Sequence, residues 1–180
     1  MFRLRPTLLA GLLVGAALVV TPASAGTPGA VATPTPPQSD PFYTPPDPLP
    51  GVPAGTVLRS RPVDVSANLL PVPVDAWQLL YRSTSATGAP NAVSGTVLVP
   101  RVAWSAGARP LVSYAVGTHG LGPECAPSYK LASGTEDESG AFGLALRRGW
   151  AVVVTDYEGL GTPGPHTYVA GPALGHAMLD

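Results

Sequence analysis

The sequence predicts an α/β fold in which an antiparallel hairpin leads into a parallel strand–helix–strand sheet. Three observations predict it. The runs Asp75–Ser83 and Asn91–Val99 flank a turn-rich TSATGAP segment, the pattern of a hairpin. The later runs Pro110–Val116 and Ala151–Thr155 are continuously apolar, as strands buried on both faces are. Between them lies a helical apolar stripe, which supplies the crossover that a parallel neighbour requires.

Taken in order, the first 25 residues read as a secretory signal peptide. Arg3 and Arg5 give a positive start, Leu8–Val20 an apolar core of about thirteen residues, and Ala23-Ser24-Ala25 a small-residue cleavage site. The apolar run is short of the ~20 residues that span a bilayer, and no later run is long enough. The expectation is an exported, extracellular protein without a stable membrane span after cleavage. Residues 26–53 hold ten of the 23 prolines, so helix and central strand are both excluded there. Gly26–Ser39 reads as a disordered leader. From Asp40 the segment DPFYTPPDPLP reads as an extended arm whose Phe42 and Tyr43 lie on the domain surface.

From residue 54 onward the domain pattern begins. Thr56–Val65 is strand-like, followed by the hairpin. Pro100–Arg109 is a loop. Thr135-Glu136-Asp137-Glu138 carries the spacing of a capping box and opens a predicted helix to Gly149. Phe142, Leu144, Ala145 and Leu146 form its stripe, Arg147 and Arg148 close its last turn, and Gly149 suits the left-handed position just past its end. Gly171–Asp180 predicts a last helix, with Pro172 in its first turn and Ala173, Leu174, Ala177, Met178 and Leu179 as its apolar face. That helix has no terminating signal, and a helix after a buried strand normally feeds another parallel strand. Residues 54–180 are therefore expected to be the N-terminal portion of a longer domain.

Composition excludes several functions. Ten Lys and Arg against eleven Asp and Glu leave a net charge of −1, with no footprint for nucleic acid or for polybasic membrane binding. A single cysteine excludes an internal disulfide framework and a Cys-rich zinc site. His119, His166 and His176 lack metal-ligand spacing, so neither metal nor cofactor is expected. His176 sits in the last helix, in a packed or exposed position.

Gly117-Thr118-His119-Gly120-Leu121-Gly122 follows a buried strand at the end where α/β sheets place ligands. Glycines at this spacing permit a sharp turn with outward N–H groups, the equipment of an oxyanion hole; an ordinary strand-to-loop turn has the same composition. The segment is not a dinucleotide fingerprint, because no helix follows directly. Asp156 and Glu158 end the second buried strand. They are too close to flank a glycosidic bond across a gap of roughly 5–9 Å. They bond the neighbouring loop, or Asp156 holds the 117–122 loop in place. A nucleophile elbow needs Gly-x-Ser-x-Gly, and no serine here has glycine two places away on both sides. Cys125 is either a buried free thiol or one half of a bridge to a partner outside these residues.

The segments DPFYTPPDPLP, YRST with AVSGTVLVP, GTHGLGPECAPSY, RRGWAVVVTDYEGLG and GHAMLD, in this order, resemble the secretory lipase family of the lipase A type. The resemblance covers Asp40–Asp180. It implies an α/β-hydrolase fold, of which the chain holds the part before the nucleophile elbow. It implies hydrolysis of carboxylic esters, triacylglycerols among them, by a Ser-Asp-His triad beyond Asp180, with the chain alone inactive. It implies that the backbone N–H groups of His119 and Gly120 serve the oxyanion hole. His119 departs from the acidic or amide residue expected there, although a backbone donor does not depend on that side chain. Cys125 matches a family cysteine bridged to a distant later one, and the DYEG segment matches a strand end near the acyl site. The competing reading is a secreted, non-catalytic binding or wall-associated module on a Pro-rich tether.

Overall fold

A computed structural model describes residues 33–65 and 69–180; the predicted signal peptide and the leader up to residue 32 lie outside the described residues. Five strands form one mixed sheet: β1 (Val57–Pro62), β2 (Val74–Thr84), β3 (Pro90–Pro100), β4 (Leu111–Tyr114) and β5 (Ala151–Thr155), in the order β1-β2-β3-β5-β4. The expected hairpin is β2–β3, paired antiparallel from Val74 opposite Pro100 to Thr84 opposite Pro90. Its turn closes through Gly88, whose φ of +82° is open to glycine at little cost, and through the Ser85 hydroxyl, which accepts from the Thr87 and Ala89 amides. β4 and β5 pair in parallel, as predicted, from Leu111 opposite Ala151 to Tyr114 opposite Val154. β5 also pairs antiparallel with β3, from Gly95 opposite Thr155 to Leu98 opposite Val152. With partners on both sides, β5 needs no polar face, which is why Val152 and Val154 are fully buried.

The crossover from β4 to β5 contains two helices where one was expected: α1 (Pro127–Ser133) and α2 (Ser139–Arg147). The capping box predicted at Thr135 does not form. Gly134, at φ +79°, ends α1 in a Schellman motif: the Gly134 amide donates to Leu131 O (3.4 Å) and the Thr135 amide to Lys130 O (2.8 Å). Thr135 is thus spent on closing α1, and α2 starts four residues later. The far end of α2 follows the expectation. Gly149, at φ +78°, and Trp150 return their amides to Leu146 O and Ala145 O at 2.9 and 3.1 Å. The stripe of α2 buries Phe142 and Leu146 against Leu98, Val152 and Val154 of the sheet, with Leu131 from α1.

The segment from Asp40 corrects a second expectation. It is not an extended arm laid on the surface. Pro37–Ser39 and Pro41–Tyr43 are single 3-10 turns, each opened by a proline whose fixed φ suits a first helical position. Tyr43 is only 1% exposed and packs with Phe42, Leu80 and Ala92. Two arginines of β1 hold the turn in. Arg59 Nη1 donates to the carbonyls of Pro41, Phe42 and Thr44 at 2.8–3.1 Å. Arg61 pairs with Asp40 (2.5 Å), and its guanidinium lies 4.3 Å from the Phe42 ring. The last helix, α3 (Gly171–Leu179), sits where predicted, and Tyr81 Oη donates to its Ala177 carbonyl at 2.5 Å. No helix among the described residues is long and apolar enough to cross a membrane.

Candidate active site

The 117–122 loop leaves the C-terminal end of β4, beside the C-terminal end of its parallel neighbour β5. Two of its glycines sit tightly against neighbouring side chains. A Cβ on Gly117 would lie 2.7 Å from Glu138 Oε1. One on Gly120, at φ +138°, would lie 2.5 Å from Cys125 Sγ. The Gly117 amide donates to Glu138 Oε1 (2.8 Å). The N–H groups of His119 and Gly120 form no hydrogen bond among the described residues. They are available donors on a turn that glycine alone accommodates.

The His119 ring, 23% exposed, lies against three carboxylates. Its Nε2 is 3.4 Å from Glu138 Oε1 and 3.9 Å from Glu136 Oε1, and its Nδ1 is 3.7 Å from Asp137 Oδ2. Glu136 is buried, and burial pushes its carboxyl above the ordinary value. Its Oε1 accepts from the Glu138 amide (3.1 Å), while Oε2 has no partner among the described residues. These groups do not come together as a metal centre, and no group of three or more His, Cys, Asp or Glu suited to an ion is found among the described residues.

Asp156 forms no hydrogen bond to the 117–122 loop among the described residues. Its side chain is 0% exposed and accepts from Ser94 Oγ (2.5 Å), Ser128 Oγ (2.5 Å) and the Ser128 amide (2.6 Å). No basic group pairs with it among the described residues, and burial raises its pKa against the pull of those three donors. Ser128 Oγ meets Tyr43 Oη (2.9 Å), which accepts from Gln78 Nε2 (3.0 Å). Gln78 Oε1 in turn accepts from Arg61 (2.8 Å). Asp156 is therefore the inner end of a polar chain that ties β5, β3, α1 and the proline turns together. Glu158 accepts from the Ala86 amide (3.2 Å) and Thr167 Oγ1 (3.1 Å), which joins the hairpin turn to the segment after β5. The two acids bond different partners.

Tyr157, next to Asp156, was not singled out by sequence. It has a φ of +64°, rare for a bulky residue and worth about 1–3 kcal/mol of strain. Its ring is buried, and Tyr157 Oη donates to Val116 O at 3.0 Å. Burial, followed by the Glu138 charge, pushes its phenol up to about 12. Cys125 is a free thiol of intermediate exposure, seated against Gly120. His166 Nδ1 meets Glu158 O (2.8 Å), and His176 is exposed on α3.

Comparison with known proteins decides the family. No family model matches the chain. A probable inactive lipase of Mycobacterium tuberculosis is 42% identical over 131 residues, covering 68% of this chain and 29% of that protein. Secreted triacylglycerol lipase LIP3 of Malassezia globosa is 38% identical over 130 residues, covering 68% and 28%. The crystal structure of Candida antarctica lipase A superposes with a TM-score of 0.70 at 31% identity, over 83% of this chain and 35% of that one. The chain belongs to the lipase A-type family. It spans about a third of the length of these relatives. As a lipase A-type chain it has the α/β-hydrolase fold, and the mixed sheet with its β4–β5 crossover is the part described above.

Proposed function

We propose that this chain carries the oxyanion-binding part of a secreted carboxylic-ester hydrolase acting on lipid esters such as triacylglycerols. The observation that carries the reading is the pair of unengaged N–H groups at His119 and Gly120, on a glycine-bound turn at the C-terminal end of a parallel strand. When a nucleophile adds to an ester carbonyl, the oxygen becomes an alkoxide. Donors already aimed at that oxygen need no reorganisation, and each lowers the barrier by about 3–4 kcal/mol. The chemistry also needs a serine activated by histidine and oriented by an acid. Those three roles are not assigned to any residue of this sequence, which lacks a Gly-x-Ser-x-Gly. The names of the Malassezia relatives support secretion and triacylglycerol substrates. Residues 1–25 then act as a cleaved signal and residues 54–180 as the first part of the hydrolase domain. Cys125 is proposed as one half of a disulfide whose partner lies outside this sequence.

The test is a graft. The part of this chain that superposes on Candida antarctica lipase A replaces the equivalent part of that enzyme, and p-nitrophenyl ester hydrolysis is measured on the folded chimera. Activity is expected from the chimera and none from the 180-residue chain. A chimera with native-like circular dichroism and no turnover would favour the second reading, a non-catalytic secreted binding module. That reading draws support from the 42% identical relative described as a probable inactive lipase.

A further inference from the structure

We propose that Tyr157 and Glu138 are positioning residues that clamp one peptide unit, Val116–Gly117, and thereby aim the 117–122 loop. The inference rests on the reading of that loop as the oxyanion arm. Tyr157 Oη donates to the Val116 carbonyl at 3.0 Å, and the Gly117 amide donates to Glu138 Oε1 at 2.8 Å. These two groups are the opposite ends of a single planar peptide. A peptide next to a glycine rotates readily about its flanking dihedrals. Held at both ends by side chains from two separate segments, one after β5 and one before α2, this one does not.

Three further observations converge on the same unit. Glu138 is itself oriented, because its other oxygen accepts from Tyr114 Oη of β4 at 2.9 Å. A Cβ on Gly117 would meet Glu138 Oε1 at 2.7 Å, so a side chain there would push the carboxylate out of its bond to the Gly117 amide. Tyr157 holds a φ of +64° with its ring buried and its amide on Thr155 Oγ1 (3.1 Å). Strain of that kind persists where the surroundings over-determine a conformation, and it clusters at functional sites. Here it delivers a phenol to the root of the loop. A tyrosine that merely filled space would need neither the positive φ nor the bond to Val116 O. Glu138 Oε1 also lies 3.4 Å from His119 Nε2, so one carboxylate faces both the root of the loop and its middle.

The variants are Tyr157→Phe, Glu138→Ala and Glu138→Gln in the 180-residue chain, read by amide hydrogen exchange and 15N relaxation. In Tyr157→Phe, Gly117 N–H exchange is expected to rise about tenfold, the weight of one hydrogen bond, although Tyr157 does not touch that amide. Order at residues 118–122 falls with it, while Val152–Thr155 stay as protected as in the parent. Glu138→Ala behaves alike, and Glu138→Gln, which keeps an acceptor, stays within about threefold of the parent. In the lipase A chimera, Tyr157→Phe lowers kcat about tenfold with KM unchanged. Unchanged Gly117 exchange in Tyr157→Phe, or equal acceleration at every amide, overturns the clamp. A loosened loop with unchanged kcat overturns the positioning role. An inactive parent chimera sinks the oxyanion reading instead, and the exchange data still decide whether the clamp exists.

Discussion

Replacing Asp156 separates two effects that act on one buried carboxylate. The group is 0% exposed, accepts three hydrogen bonds and has no basic partner among the described residues. In Asp156→Ala, Ser94 Oγ, Ser128 Oγ and the Ser128 amide all lose their acceptor, while Ser128 Oγ still accepts from Tyr43 Oη. Three buried donors without an acceptor at about 1–3 kcal/mol each cost about 3–9 kcal/mol, offset in part by no longer burying a charge. A net loss of about 2–4 kcal/mol is expected, a large share of a domain's stability. Asp156→Asn keeps an acceptor for the amide and removes the charge, so its loss stays below about 1.5 kcal/mol. The pH dependence then identifies which effect dominates. Burial raises the folded pKa above the ordinary 3.8. Between the unfolded and folded values the native state keeps a proton that the unfolded chain has lost. Wild-type stability is therefore fully present below the unfolded pKa and falls as pH rises through the folded one, by at most about 1.4 kcal/mol per pH unit. Asp156→Asn lacks this slope. Urea unfolding followed by tryptophan fluorescence from pH 4 to 8 measures both proteins, and subtraction removes the other carboxylates. A difference that shrinks with rising pH is expected. A flat difference, or one that grows with pH, refutes the argument, since growth would mean that the three donors outweigh burial.

Gly120→Ala places a Cβ 2.5 Å from Cys125 Sγ at a φ of +138° and should cost about 1–3 kcal/mol. Cys125→Ala should recover only the steric part, which a double-mutant cycle by thermal melting reads. Thr135→Ala should change stability by less than about 0.5 kcal/mol, because its hydroxyl caps no helix, whereas Gly134→Ala, at φ +79°, should lose about 1 kcal/mol or more. Equal costs for the two would restore the capping box. Tyr43→Phe removes the hydroxyl between Gln78 and Ser128 and should cost about 1–2 kcal/mol in urea unfolding; a neutral result would show that the polar chain does not hold the proline turns.

The strands were legible because each announces itself within a few residues. Alternation marks β2 and β3, and continuous apolar runs mark β4 and β5. Gly149 was legible as a helix end for the same local reason. α1 was not, since PSYKLAS is one short polar-rich turn pair whose only signals are Pro127 at its start and Gly134 at its end. Among residues 33–53, proline content agrees with the absence of an α-helix and of a strand. It did not reveal that Tyr43 is inserted, because that depends on Arg59, Arg61 and Gln78 arriving from distant strands. The site divides likewise. The GTHGLG turn and its place at a strand end were readable from composition and order. Its support was not: Asp156 carried the recognisable chemistry, whereas the contacts come from Glu138, which resembled a helix cap, and from Tyr157, whose backbone conformation no composition reveals.

The seat of β5 between β3 and β4 bears on how the chain is made. Gly95 pairs with Thr155, so the inner edge of β3 finds its partner only after some sixty further residues exist. The β2–β3 hairpin has a short local turn and forms early. At about 5–20 residues per second, synthesis leaves that edge open for about 3–12 s. The exposed backbone there runs through Gly95, Thr96, Val97 and Leu98, without a charged residue. Unpaired strand edges of this kind recruit other chains. The order in which the strands are written thus makes β5 the element that ends this exposure of the nascent protein.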